Sequence, residues 1–272
     1  MISQNASMTE ALIRDLYPSV FNLCLRMRLV PDDAADATQE ILVKAIEAYP
    51  SFRGASSVKT WALAIARNHV LSMLRAGPRI EFSQYEEEAA AHLADPGAYA
   101  AYEPASLSER AREEEDLKIA CTTALLQCLD PLDRLCYVLY AFFGLPSAEC
   151  SGIAGLSPEA YRQRVSRARS KLASFLGEHC GAAGGATCSC RERLGYAKSR
   201  GRLMPGSPYA AMREKGENIS LREASSVIEA MEELDAASSF YRAEPALLPV
   251  DVERRIARLL MIASPVIDPE GP

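Results

Sequence analysis

Apolar residues along this chain recur every three or four positions, and almost nowhere do they alternate with polar ones as in a half-buried strand. Hairpin signals such as Asn-Gly between β-branched runs are missing too. That period restricts the chain to an all-α fold. With 272 residues there is enough chain for two or three small domains, each with its own core.

Breaks in the pattern divide the chain into blocks. In the first, 9–76, Leu12, Leu16, Val20, Leu23 and Met27 share one helical face. Pro31, Asp32 and Asp33 start a second helix, because acids suit the positive end of the helix dipole. That helix buries Ala37, Ile41, Ala45 and Ala48 and presents Asp36, Gln39, Glu40, Lys44 and Glu47. A third helix is predicted from Val58 to Arg75, with Trp61, Ile65 and Leu71 among its apolar residues. Residues 77–115 are Ala- and Glu-rich, with Pro78, Pro96 and Pro104 interspersed, and read as a flexible tethering linker that can hold short helical pieces. The third block, 116–176, contains Asp130-Pro131 as a cap and first helical residue, and Gly144 as a stop. A short helix from Ser147 to Ala154, a turn at Gly155 and a new start at Ser157-Pro158-Glu159 form a helix-turn-helix candidate. The last block, 177–272, opens on a Gly/Cys-rich stretch. Two helices are predicted in it, Ser220 to Tyr241 and Val250 to Ile262.

Net charge is −6, which does not announce a partner, but the distribution does. Eleven acids against three bases lie between Gly77 and Asp116, and ten bases against three acids between Gly155 and Pro205. A local basic block can bind phosphate whatever the total, since distant exposed charges are screened. In the helix after Ser157 the apolar residues are Tyr161, Val165, Ala168, Leu172 and Phe175, and this stripe must face a core. Arginines fill much of the remainder. Arg162 and Gln163, near the helix start, are candidates for base edges in a major groove; Arg164, Arg167, Arg169 and Lys171 are candidates for phosphate oxygens.

Two stretches then resemble a known family. GLPSAECSGIAGLSPEAYRQRVSRARSKL, Gly144 to Leu172, resembles region 4 of the sigma-70 factors. DAADATQEILVKAIEAYPSFRGASSVKTWALAIARNHVLSMLR, Asp33 to Arg75, resembles region 2. A linker stands where larger members carry region 3, as in the extracytoplasmic-function group. The resemblance covers roughly residues 10 to 176. It implies an all-α sigma factor: a helical region 2 domain, a flexible linker, a helix-turn-helix region 4 domain and a small helical C-terminal extension. It implies no enzymatic activity, and as partners core RNA polymerase (β′ clamp helices and β subunit) and promoter DNA. Asp36, Gln39 and Glu40 would dock on polymerase. Phe52, Arg53, Lys59, Arg67, Asn68 and Arg75, with His69 nearby, would meet the minus-ten element. Arg162, Gln163, Arg164, Arg167, Arg169 and Lys171 would read the minus-thirty-five element. Trp61 falls on the apolar stripe and is expected in the core rather than as a stacking platform. Cys150-Ser151 departs from the usual Ile-Ala and should loosen the scaffold helix slightly.

The start, Met1 to Glu10, lacks a secretory pattern and no run is long enough for a membrane span, so a cytoplasmic location is expected, without disulfides. Cys24, Cys121, Cys128, Cys136 and Cys150 read as small buried hydrophobes. His179, Cys180, Cys188 and Cys190 could hold a structural zinc, though the spacing is not that of a zinc finger; a flexible loop with exposed thiols is the alternative. No other cofactor is expected. Two further readings stay open: a stand-alone helix-turn-helix regulator, and a zinc-dependent enzyme on nucleic acid using Glu178 or Glu192. The basic run Arg191 to Arg202 could lie on DNA or on the acidic linker. The family implies restraint by an anti-sigma factor; the segment Ile219 to Leu260, folded back on the rest, could serve instead or as well.

Overall fold

The computed structural model describes residues 2–27, 30–74, 81–87, 106–183, 185, 188–199, 212, 215, 241 and 245–263, with 2–8 and 263 by backbone alone. Among these, regular structure is helical apart from one isolated bridge pairing Cys180 with Cys188. The helices are α1 (Ile2–Met27), α2 (Pro31–Ala48), α3 (Val58–Leu74), α4 (Leu107–Leu126), α5 (Pro131–Val138), α6 (Ser147–Ala154), α7 (Pro158–His179), α8 (Cys190–Ser199) and α9 (Val252–Ala263).

Punctuation residues act where they stand. Pro31 is the first residue of α2, with Asp32 and Asp33 in its first turn. Asp130 accepts from the Leu132 N–H and Ser157 from the Ala160 N–H, so α5 and α7 begin with satisfied donors. Gly144, which ends the π-helical turn Leu139–Phe143 that prolongs α5, and Gly155, which ends α6, have φ of 59° and 67°, the left-handed region that costs other residues dearly. Gly155 is also crowded: a Cβ there would lie 2.1 Å from Nη2 of Arg67.

Helices α1, α2 and α3 pack against one another, α5, α6 and α7 form the second bundle, and α3 lies along α6. The two bundles share one core, which runs from Ile13, Phe21 and Ile41 through Leu135, Phe143 and Leu172 to Leu247 and Leu259. Buried polar groups bolt them together. Arg134 of α5 donates from Nη1 to Met27 O (2.7 Å) and Gln127 Oε1, and from Nη2 to Gln127 O (2.9 Å) and Leu129 O (3.2 Å). Met27 ends α1 and Gln127 follows α4, so one guanidinium caps carbonyls at two helix C-termini, where a cation is favoured. Arg26 is fully buried, 4.0 Å over the Phe142 ring.

Several expectations need correction. The short helix over 82–87 suits the linker as read, but the linker does not extend to 115: the long helix α4 begins at Leu107, with Ser106 accepting from the Glu109 N–H. The buried stripe of α7 ends on Leu176; Phe175 is half-buried, 5.3 Å from Phe82 and 4.7 Å from His179 by ring centroids. Ala48 is only half-buried, and α2 instead adds Ala34, Ala35, Thr38, Leu42 and Ile46 to the core. Cys121 is half-buried, whereas Cys24, Cys128, Cys136 and Cys150 are buried. Burial pushes the thiols of Cys128, Cys136 and Cys150 up to about 12, which leaves them poor nucleophiles near neutrality. Arg75 lies outside the described residues, as does the predicted helix Ser220 to Tyr241 except its last residue, Tyr241, which is helical and buried. The helix predicted from Val250 starts at Val252.

Candidate nucleic-acid interface and partner face

The site begins with the way α7 is seated. Tyr161, Val165, Ala168, Leu172 and Leu176 fix one side of it against α5 and α6. The opposite side is therefore set by subtraction: Arg162, Gln163, Ser166, Arg167, Ser170 and Lys171 are all exposed, spaced three and one along the helix. No acid falls between Arg162 and Lys171. Ser166 and Ser170, which residue type alone does not single out, keep this side of the helix low between the longer arginines. Arg162 bonds Glu159 Oε1 at 3.1 Å, an exposed pair that a phosphate can outcompete.

Arg164 differs from the phosphate role expected of it. Its Nη1 bonds Asp133 Oδ1 at 2.6 Å, and Asp133 is nearly buried on α5. Arg167 Nη2 reaches the same oxygen at 3.4 Å but stays half exposed. Arg164 thus orients α7 on its bundle, and Arg167 faces outward. Arg169 is half-buried and Lys171 exposed.

The expected minus-ten residues are spread over the turn after α2 and along α3. Phe52 is half-buried between Tyr49 (6.0 Å) and Trp61 (5.1 Å), centroid to centroid, so Trp61 sits in a half-exposed aromatic group rather than deep in the core. Arg53 is exposed, and Asn68 is exposed with its Oδ1 accepting from Arg67 Nη1 at 2.9 Å. Lys59 and Arg67 point toward the second bundle: Lys59 Nζ lies 6.0 Å from the Phe143 ring, and the Arg67 guanidinium rests on Gly155. Thr60 Oγ1 donates to Glu149 Oε2 across the same seam. His69 is not the exposed neighbour expected. Its side chain is 10% exposed and bridges α3 to α2, with Nδ1 3.1 Å from Lys44 Nζ and Nε2 3.7 Å from Glu40.

On α2, Asp36 and Glu40 are exposed and Gln39 half-buried. Arg255 of α9 holds Asp36 at 3.0 Å, a contact across 219 residues that no local pattern announces.

The cysteine-rich loop folds tightly, with the Gly181 N–H on Cys188 O and the Gly185 N–H on Cys180 O, both 2.8 Å. It does not assemble the expected metal quartet. His179 turns onto Phe175, Cys190 packs with Cys121 against Leu117, Leu194 and Ala197, and Arg193 Nη1 donates to Cys188 Sγ at 3.7 Å. Among the described residues no three His, Cys, Asp or Glu side chains converge as a metal ion requires. Glu178 and Glu192 are exposed. Lys198 pairs with Glu113 of α4, so part of the basic run lies on the acidic segment. Among the described residues no helix is long and apolar enough to cross a membrane.

Comparison with known proteins agrees with this geometry. Residues 12–79 match the family model Sigma-70 region 2, and residues 119–172 match Sigma-70, region 4. The chain is 31% identical over 171 residues to the probable RNA polymerase sigma-C factor of Mycobacterium bovis, covering 62% of this chain and 83% of that one. It is 30% identical over 161 residues to the ECF RNA polymerase sigma factor SigG of Mycobacterium tuberculosis, covering 55% of this chain but only 43% of SigG. To the RNA polymerase sigma factor CnrH of Cupriavidus metallidurans it is 29% identical over 144 residues, 53% of this chain and 73% of the other. With both sigma regions in order on two helical bundles, and with most of a sigma-C factor matched, the chain belongs to the extracytoplasmic-function group of the sigma-70 family.

Proposed function

We propose that this chain binds core RNA polymerase and directs it to promoters, in the cytoplasm and without catalysing a reaction itself. The exposed face of α2 docks on the β′ clamp helices, with the β subunit as second contact. The turn after α2 and the α3 face open the minus-ten element, and α7 enters the major groove of the minus-thirty-five element. The observation that carries this reading is the acid-free exposed stripe Arg162, Gln163, Ser166, Arg167, Ser170 and Lys171 on a helix fixed from behind. Base-edge donors near the helix start, with cations farther along, suit a groove whose walls are phosphate. The tether between the bundles lets both reach one promoter, which raises the effective concentration of each for its own site.

Thr60 and Arg67 face α6 and the Gly155 turn, and Lys59 faces the Phe143 ring just before α6, so full access to single-stranded DNA requires the two bundles to separate along that seam. The test is run-off transcription with purified core polymerase on fragmented genomic DNA. Defined transcripts that need both components are expected. A stand-alone helix-turn-helix regulator would instead bind duplex without polymerase and yield no transcript.

A further inference from the structure

The segment 245–263 is attached to α1 and α2 by contacts of three kinds. Ala246, Leu247, Leu248, Val252, Ile256 and Leu259 are buried in the same core as α1. One asparagine satisfies both backbone groups of Leu247: Asn22 Nδ2 donates to Leu247 O at 2.7 Å, and the Leu247 N–H donates to Asn22 Oδ1 at 3.0 Å. Arg26 Nη2 adds a bond to Pro245 O at 3.1 Å. Charges then align α9 with its neighbours. Arg14 Nη1 meets Glu253 at 2.9 Å, and Arg255 bonds Asp36 at 3.0 Å while lying 3.9 Å from Asp32. Burial would raise the Asp251 carboxyl, but hydrogen bonds from Arg254 and Arg255 hold it below its usual range, so Arg255 is fixed from the turn just before its own helix as well.

We propose that α9 is a built-in competitor for the polymerase-docking face of α2: Arg255 occupies Asp36, and the helix stands beside the N-terminal half of α2 where a partner must approach. This rests on the docking role assigned to α2 above. The Asp36 side chain stays 71% exposed, so the ion pair contributes little, and exposed pairs are worth at most about 1 kcal/mol. The apolar contacts of Ile256 and Leu259 hold the helix, and the arginine makes its position matter. The apparent affinity for polymerase then scales with the fraction of molecules in which α9 has lifted. A partner that binds α2 opens the segment, and anything that loosens the segment favours the partner.

Full-length chains are titrated with core polymerase and read by fluorescence anisotropy. Ile256→Asp combined with Leu259→Asp should tighten binding about tenfold, and Arg255→Ala about two- to fivefold. Asp36→Ala, introduced into the Ile256→Asp, Leu259→Asp chain so that only the polymerase contact is changed, should weaken binding again. If the released chain binds no tighter while Asp36→Ala still weakens it, the competition is wrong and the docking face stands. If Asp36→Ala has no effect, the docking face is wrong and the competition falls with it. Should the double substitution unfold the protein, hydrogen exchange on the unaltered chain decides. Amides of 252–263 should lose protection when core polymerase is added, and unchanged protection in the complex would overturn the proposal.

Discussion

Arg134→Ala is expected to destabilise the whole protein by about 3 kcal/mol. The side chain is 5% exposed and donates to four acceptors on three residues at the junction of α1, α4 and α5. Truncation leaves the carbonyls of Met27, Gln127 and Leu129 without this donor, and each buried group so abandoned costs about 1–3 kcal/mol. Relief of the buried charge offsets part of that, which keeps the net below the sum. Because both bundles share one core, the loss should appear as a single shifted transition in urea rather than as early melting of one half. Arg134→Met, which keeps the volume but not the donors, should lose nearly as much. A methionine variant of unchanged stability would mean that packing, not hydrogen bonding, holds the junction.

The second large effect is expected on α7. Arg162→Ala and Gln163→Ala should each weaken binding of polymerase holoenzyme to its own promoter by about 1–3 kcal/mol, roughly five- to 150-fold, and relax the sequence preference at one or two positions. Arg167→Ala and Lys171→Ala should weaken all duplexes alike and reduce the slope of log affinity against log salt by about one each. Arg164→Ala should leave that slope unchanged, because Arg164 already binds the nearly buried carboxylate of Asp133. Its loss should appear in the seating of α7, as lower stability. Competition titrations with specific and scrambled duplexes across a salt series separate the three classes.

Much of the architecture was legible because helix punctuation is local. Pro31, Asp130-Pro131, Gly144, Gly155 and Ser157-Pro158 each stop or start a helix through backbone chemistry that no tertiary contact has to supply. The start of α4 was not legible. Its first turns carry Glu109, Glu113, Glu114 and Glu115 around few apolar residues, so the period emerges only once Leu117 and Ile119 enter the core. Side-chain roles followed the same division. The exposure of Arg162 and Gln163 follows from the position of the buried stripe one turn away. The capture of Arg164 by Asp133, of His69 by Lys44 and Glu40, and of Asp36 by Arg255 depends on which helices meet, and residue types alone do not determine that. The contacts of His179 with Phe175 and of Cys190 with Cys121 were not legible for the same reason, since they too depend on which side chains the fold brings together.

The central claim is that one chain grips a promoter at two places and opens it at one of them. Permanganate reactivity of promoter thymines, measured with core polymerase alone, the chain alone and both together, tests this most directly. A short reactive patch in the minus-ten element, present only with both components and fainter with Arg162→Ala at limiting holoenzyme, is the expected result. Duplex binding by the chain without polymerase, with no thymine becoming reactive in any mixture, would contradict it.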